Sequence, residues 1–145
     1  MSGIKEFILD QKNITIERIE KYLSGSKNQF NSSTRPNFKK ESKDHVEYAN
    51  VIFAKEGEDD IGYIAFYANR KKAFIPLIVV NKAYQKQGVA TKLLDMCEAA
   101  TSELGFDSIY LQVYKSNEVA VDIYIKRGYK LTEDKDEVYI MRKYI

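Results

Sequence analysis

The chain has 145 residues, of which 44% are hydrophobic and 30% charged, so it can fold as one domain with one core and is not a disordered segment. Its 23 basic and 21 acidic residues leave a formal net charge of +2, which argues against nucleic-acid binding, because that function uses a strongly basic surface. With one cysteine, Cys97, and one histidine, His45, the chain offers neither an internal disulfide nor a cysteine–histidine metal site, so no metal is expected.

No run of about 18 apolar residues occurs, and the residues from Met1 to Asp10 mix charges with short apolar stretches. The sequence therefore predicts neither a membrane span nor a secretion signal. Together with the single cysteine, this indicates a cytoplasmic protein.

The first third of the chain predicts short elements around a long loop. Apolar residues with helical spacing indicate a helix ending near Gly25, and a segment rich in Ser, Asn, Gly and Thr then indicates a loop of the kind that often borders a binding site. In chain order the predicted elements are a strand at Ile4–Leu9, a helix at Thr15–Leu23, the loop at Ser24–Asn37 and a short helix at Ser42–Ala49.

Aromatic and β-branched residues dominate the middle of the chain. The runs Val51–Ala54 and Ile61–Tyr67, joined by the polar stretch Lys55–Asp60, predict a hairpin. Phe74–Val80 is almost entirely apolar and predicts a central strand covered on both faces. Pro76 is unexpected there, because proline cannot donate a ladder hydrogen bond.

The second half of the chain alternates helices and strands. After Gly88, apolar residues form one helical stripe, and Gly105 follows where helices commonly end. The stripe comprises Val89, Leu93, Met96, Cys97, Ala100 and Leu104. Further on, the pattern predicts a strand at Ser108–Tyr114, a short helix at Asn117–Arg127 stopped by Gly128, and a last strand at Val138–Tyr144. This order predicts an α/β (α+β) domain with a mixed, mostly antiparallel sheet of about six to seven strands flanked by helices.

The stretch Val80–Leu94 carries the clearest chemical signal, because a buried strand passes through a polar loop directly into an amphipathic helix. Such a turn brings main-chain N–H groups and the positive end of a helix dipole to one place, which suits a phosphate. Gly88 lets the main chain approach a ligand, and Ala90 keeps the first helical turn small. By itself this feature is equally well explained as an ordinary helix start. The glycine-rich motifs of nucleotide triphosphatases and dehydrogenases do not occur in the sequence, so neither activity is expected.

The run Gln85-Lys-Gln-Gly-Val-Ala90 resembles the Gln/Arg-x-x-Gly-x-Gly/Ala signature of the GCN5-related N-acetyltransferase (GNAT) family. The departures from the family pattern are small, since Gln is a permitted variant of Arg at position 85 and the Pro often found at position 82, here Lys82, only shapes a turn. Further residues that resemble the family are Ile78-x-Val80, Tyr84 and Leu93-Leu94 around this motif and, in a second motif, Leu111-x-Val113, Asn117, Ala120, Tyr124 and Gly128-Tyr129. The resemblance covers roughly residues 50 to 145.

The resemblance implies an enzyme that transfers acetyl from acetyl-CoA to a primary amine by direct attack in a ternary complex. It implies a sheet splayed between its fourth and fifth strands, which suits Pro76. Main-chain groups of Ile78, Val79 and Val80 would bind the pantetheine arm, and the N–H of Ile78 or Val79 would stabilise the oxyanion. The pyrophosphate would be bound by Gln85, Lys86, Gln87, Gly88, Val89, Ala90 and Thr91.

The second motif implies the remaining roles. Asn117 would contact the cofactor while capping a helix, and Tyr124 would contact the cofactor and donate a proton to the departing thiolate. No residue stands out as general base: His45 better suits a surface or capping role, Glu47 and the acidic residues 56–60 stay open, and many members of the family deprotonate the amine through water. Cys97, on the buried stripe, is expected to be structural.

The resemblance divides a single domain, residues 1–145, into a variable acceptor-side half, 1–49, and a cofactor-binding core, 50–145. Arg35, Lys39, Lys40 and Lys43 in the first half would suit an acidic or phosphate-bearing small-molecule amine, such as an amino sugar linked to a nucleotide. An amine of a protein or of aminoacyl-tRNA, and a non-catalytic regulator that binds acyl-CoA, remain alternatives. Homodimers are common among proteins that resemble this one.

Overall fold

The computed structural model describes residues 7–30, 37–68 and 71–145. Seven strands form one mixed sheet in the order β1-β2-β3-β4-β5-β7-β6, which confirms the predicted α/β class and strand number. The strands are β1 (Ile8–Asp10), β2 (Asn50–Glu56), β3 (Asp59–Tyr67), β4 (Ala73–Val80), β5 (Ser108–Tyr114), β6 (Lys130–Lys135) and β7 (Val138–Tyr144). The helices are α1 (Ile16–Gly25), α2 (Phe38–Tyr48), α3 (Val89–Glu103) and α4 (Glu118–Arg127). None of the helices within the described ranges is long and apolar enough to cross a membrane.

Helices α1, α2 and α4 each begin with a side-chain cap. Thr15 accepts a hydrogen bond from the N–H of Arg18 at the start of α1, and Asn37 accepts one from Lys40 at the start of α2, each at 3.1 Å. Such caps satisfy main-chain N–H groups that have no partner inside the helix. At the other end of α4, Gly128 has φ 104°, the left-handed conformation that a glycine adopts without strain.

Contacts within the chain group its residues into two compact units. The first unit comprises Met1–Ala65 and Leu77–Met96. Its core is a cluster of buried residues on α1, β2, β3 and β4: Ile19, Tyr22, Leu23, Val51, Phe53, Tyr63, Ala65 and Val79. Arg18 donates to both carboxylate oxygens of Asp60, at 3.0 and 2.7 Å, and lies 3.0 Å from Asp10, so this half-buried guanidinium joins α1 to β3 and β1.

The second unit comprises Phe66–Pro76 and Cys97–Ile145. Here β5 pairs antiparallel with β7 along its whole length, and β7 pairs with β6 with a register shift between Leu131 and Glu133. The parallel ladder joins Ala73–Ile75 of β4 to Ile109–Leu111 of β5, and the next residue of β4 is Pro76. This short ladder followed by proline agrees with the splay expected between the fourth and fifth strands.

The structure corrects four details of the sequence prediction. Helix α2 begins at Phe38 rather than at Ser42, so Lys39 and Lys40 lie on this helix together with Lys43, whereas Arg35 lies outside the described residues. Leu104 is 58% exposed, because α3 ends one residue before it. Strand β6, which the sequence analysis did not predict, is exposed at all six positions. His45, expected at the surface or in a cap, is buried.

Candidate active site

The proposed phosphate seat is the connection between β4 and α3. Lys86 has φ 64° and Gly88 has φ 88°, so the main chain adopts the left-handed conformation at two positions before helix α3 begins at Val89. A Cβ built on Gly88 would meet nothing within 4 Å, which leaves open space beside the main chain. A curled loop that leads into a helix N-terminus exposes main-chain N–H groups to an anion, as the sequence predicts for this segment.

Charged and polar residues around this seat are accessible to solvent. The exposed residues are Lys82, Lys86, Thr91 and Lys92, together with Gly88 itself. Val89, by contrast, is 1% exposed and packs into the core, so only its main chain is available to a ligand. The seat therefore combines main-chain donors with nearby positive charge, which is what a pyrophosphate group requires.

The Gln85 side chain supports the loop. Its Nε2 group donates to the carbonyl oxygen of Val80 at 3.1 Å and to Oε1 of Gln29 at 2.9 Å. These two bonds connect the loop to the end of β4 and to the segment after α1. Gln85 thus fixes the shape of the seat, and Gln87, which donates to the carbonyl of Ala83 at 3.0 Å, acts in the same way.

The strand segment Ile78–Val80 lies directly before the seat in the same unit. Val79 and Val80 are buried and Ile78 is half-buried, so their side chains are core residues and their chemical role is limited to the main chain. The carbonyl of Val79 accepts a hydrogen bond from the hydroxyl of Tyr22 at 3.2 Å. Because burial raises the pKa of Tyr22 above its usual range, this hydroxyl stays protonated and donates.

Helix α4 carries the two predicted site residues of the second unit. Asn117 is its N-cap, with the side-chain oxygen accepting from the N–H of Ala120 at 3.2 Å, as predicted. Tyr124 is 8% exposed, and burial raises the pKa of its hydroxyl above the usual range. The hydroxyl is therefore protonated at neutral pH, which is the state a general acid needs.

A buried ion cluster holds the end of α4. The carboxylate of Glu98, on α3, accepts from Arg127 at 2.8 and 3.2 Å, from Lys143 at 2.7 Å and from the hydroxyl of Tyr129 at 2.9 Å. The ring of Tyr129 lies edge-on to that of Tyr124, with centroids 5.7 Å apart. Burial alone would raise the pKa of Glu98, but these donors outweigh it and hold the pKa below its ordinary value.

His45 belongs to a buried hydrogen-bonded chain in the first unit. Its Nδ1 lies 2.5 Å from the hydroxyl of Tyr63, and its Nε2 lies 2.8 Å from the carboxylate of Glu41 one helical turn earlier. The imidazole is fully buried and its ring stacks on that of Tyr63. Sequence reasoning missed this role, although the spacing of Phe38, Ser42 and His45 along one face of α2 could have indicated it.

The structure also bears on Cys97 and on the acidic residues 56–60, which the sequence analysis considered as catalytic groups. Cys97 is buried and unpaired by any disulfide, and burial raises the pKa of its thiol, so it is a poor nucleophile, as expected. Of the acidic residues near the hairpin turn, Glu56 accepts from the hydroxyl of Tyr84 at 2.8 Å and Asp60 binds Arg18. These two carboxylates have structural partners and are not simply solvated.

Comparison with known proteins supports this interpretation of the sequence. The model of the acetyltransferase (GNAT) family matches residues 16–129. N-alpha-acetyltransferase 50 of Danio rerio is 36% identical over 75 residues, which cover 49% of this chain and 43% of that protein. The matched region spans 24% to 48% of the length of three curated relatives, this one included.

Solved structures share the fold. The PaiA N-acetyltransferase of Thermoplasma acidophilum in complex with coenzyme A superposes with a TM-score of 0.79 at 16% identity, covering 97% of this chain and 99% of that one. Ard1 of Thermoplasma volcanium has a TM-score of 0.79 at 19% identity, with 96% and 97% covered. The two motifs of the sequence lie on the strand, loop and helices described above. Because the family model matches residues 16–129, which is most of the chain, the chain belongs to the GNAT acetyltransferase family.

Proposed function

We propose that this chain is an acetyl-CoA-dependent N-acetyltransferase. The observation that carries the proposal is the connection from β4 to α3, where Lys86 and Gly88 curl the main chain in front of a helix N-terminus. This segment would bind the pyrophosphate through residues 85–91. The main chain of Ile78, Val79 and Val80 would bind the pantetheine arm in the manner of a neighbouring strand.

The chemistry assigned to the protein groups follows from acyl transfer. The neutral amine attacks the thioester carbonyl carbon, and the resulting oxyanion accepts a hydrogen bond from a main-chain N–H of Ile78 or Val79. As the tetrahedral intermediate collapses, the carbon–sulfur bond breaks and the thiolate takes the proton of the Tyr124 hydroxyl. The proton of the amine leaves to water and the Tyr124 phenolate regains a proton from water, so the scheme balances without a side-chain base.

The acceptor is proposed to be a small-molecule primary amine, with the lysines of α2 favouring a negatively charged one. Lys39 and Lys43 are exposed, whereas Lys40 bonds to Asp44 at 2.7 Å and contributes less charge. A second candidate is the N-terminal amine of a protein, which is favoured by the similarity to N-alpha-acetyltransferase 50. Residues 1–49 would form the acceptor side of a single domain in either case.

The experiment measures thiol release from acetyl-CoA with a panel of amines: nucleotide-linked amino sugars, polyamines and short peptides with free N-termini. Faster turnover of an amino sugar than of a polyamine supports the charged small-molecule acceptor, and faster turnover of a peptide selects the protein alternative. Acetyl-CoA binding without release from any amine would instead support a non-catalytic acyl-CoA-binding protein.

The role of Tyr124 is tested by Tyr124→Phe, with Tyr144→Phe as the control, because Tyr144 lies in the same unit and is 68% exposed. Loss of a general acid should lower kcat by about 10²-fold, while the Kd for acetyl-CoA changes little. Equal turnover of Tyr124→Phe and the control would exclude Tyr124 as the acid.

A further inference from the structure

A basic pocket opens in the second unit, apart from the helix that carries Tyr124. Its volume is about 340 Å³, and it is lined by Lys71 and Lys72 before β4, the segment 105–108 before β5, Tyr110 of β5 and Arg142 of β7. Pockets of this size hold small ligands. No residue of the proposed acetyl-CoA site lines it.

The lining carries more positive than negative charge. Lys71, Lys72 and Arg142 are opposed by one carboxylate, that of Asp107, which gives a net charge of +2. Among the described residues, no ion pair involves any of these three cations. Arg142 also lies directly across the β6–β7 ladder from Lys130, and like charges in that position destabilise a sheet.

Two of these cations lie against the same aromatic ring. The Lys72 ammonium lies 4.8 Å and the Arg142 guanidinium 5.1 Å from the centroid of the Tyr110 ring, and Arg142 also lies 4.2 Å from the ring of Tyr144. Cation–aromatic contacts of this kind position the charges but do not neutralise them. An anion bound in the pocket would offset the positive charge of its lining.

The Nε–H group of Arg142 has no hydrogen-bond partner among the described residues, although the nitrogen is buried. A buried donor without an acceptor is costly, and buried polar groups usually have partners. The Arg142 guanidinium therefore brings an unsatisfied donor as well as a positive charge to this part of the second unit.

We propose that this pocket is a second anion site that binds a phosphate group, with Arg142 and Lys72 as its principal donors. A phosphate carries about 1.5 to 2 negative charges at neutral pH, which offsets most of the net charge of the lining, and its oxygens accept hydrogen bonds from guanidinium and ammonium groups. A single carboxylate carries less charge. The phosphate comes either as the free ion or as part of a phosphorylated small molecule.

The test follows the Arg142 Nε–H resonance by ¹⁵N NMR while inorganic phosphate, glucose 6-phosphate or acetate is added at constant ionic strength. The resonance is assigned by its loss in Arg142→Lys, and the amide of Gly88 reports separately on the acetyl-CoA site. We expect a saturable shift with phosphate or the sugar phosphate, and none with acetate over the same range. The tighter of the two phosphates identifies the source.

The variant Lys72→Gln should weaken phosphate binding about tenfold or more, as expected for loss of a charge-assisted hydrogen bond. Lys72 is exposed, so this change leaves the fold intact. The matched control is Lys126→Gln, which removes another exposed cation of the same unit, one that pairs with Asp122, and it should change the affinity by less than twofold. Equal shifts with acetate and phosphate, no saturation, or equal affinity in Lys72→Gln and the control would each overturn the proposal. These outcomes are independent of acetyl-CoA binding at Gly88.

Discussion

Replacing Gly62 by alanine should displace the start of α3 and weaken acetyl-CoA binding. Gly62 lies in β3, where a Cβ would meet Cγ1 of Val89 at 2.8 Å, Cδ1 of Leu93 at 3.2 Å and Cβ of Ala54 at 3.3 Å. Val89 is the first residue of α3 and directly follows Gly88. The absence of a side chain at position 62 therefore allows the helix that ends the phosphate seat to approach the sheet closely.

The size of the effect follows from the contact distance. Carbon atoms in favourable contact lie about 3.5 to 4.0 Å apart, so the Val89 methyl must move by about 0.7 Å or more. A β-branched residue in a helix has one strongly preferred rotamer, so the helix itself has to shift with the side chain. Overpacking of this kind costs about 1 to 3 kcal/mol, which corresponds to a fall in Tm of about 3 to 10 °C for a domain of this size.

The assay combines thermal unfolding with calorimetric titration of acetyl-CoA. Gly25→Ala is the matched control, because a Cβ at Gly25 meets nothing within 4 Å, and it should be neutral or stabilising. The double variant Gly62→Ala/Val89→Ala should recover part of the lost affinity by removing the clashing methyl. A Gly62→Ala protein as stable as the control, with unchanged affinity for acetyl-CoA, would refute the reasoning.

Three further changes test other parts of the structure. Glu98→Gln should lower the free energy of unfolding at pH 7 by about 1 to 3 kcal/mol, because two half-buried cations lose their counter-charge. The pKa of Glu98 is lowered in the fold, so its stabilisation is present above about pH 4.3 and is lost as the pH falls through the folded pKa. Urea titrations at decreasing pH should therefore show the difference in unfolding free energy between wild type and variant becoming smaller. A difference that grows as the pH falls contradicts this. Cys97→Ala should retain acetyl transfer, and complete loss of thiol release in a stable variant would indicate covalent catalysis. Tyr63→Phe removes the hydrogen bond to His45 and should lower the unfolding free energy by about 1 to 3 kcal/mol in urea denaturation, and an unchanged midpoint would show that this bond contributes nothing.

The elements of the cofactor-binding half could be predicted because local signals and burial agree there. Strands β5 and β7 have the bounds that were predicted, and β5 is buried at most of its positions. Helix α4 was predicted from its cap at Asn117 and its stop at Gly128. In these segments the hydrophobic pattern and the helix-boundary residues indicate the element.

Strand β6 could not be predicted from its own residues. The sequence Lys-Leu-Thr-Glu-Asp-Lys is exposed throughout and has neither alternation nor apolar character. The segment is extended because its main chain pairs with β7, and this pairing does not require any particular type of side chain. Charged edge strands of this kind are hidden from any method that relies on hydrophobic periodicity.

The burial of His45 was missed for a related reason. Helix α2 places two polar residues, Ser42 and His45, on its buried face, where Ser42 donates to the carbonyl of Phe38 at 2.6 Å and His45 bonds to Tyr63. Counting apolar residues therefore underestimates this face. Buried polar groups satisfied by distant partners are visible only once those partners are in place.

The central claim is tested most directly by calorimetric titration of the protein with acetyl-CoA. Saturable binding with a Kd in the micromolar range is expected, with one site per chain. Absence of binding at millimolar acetyl-CoA would contradict the account, because the loop from Gln85 to Thr91 would then be only the start of a helix.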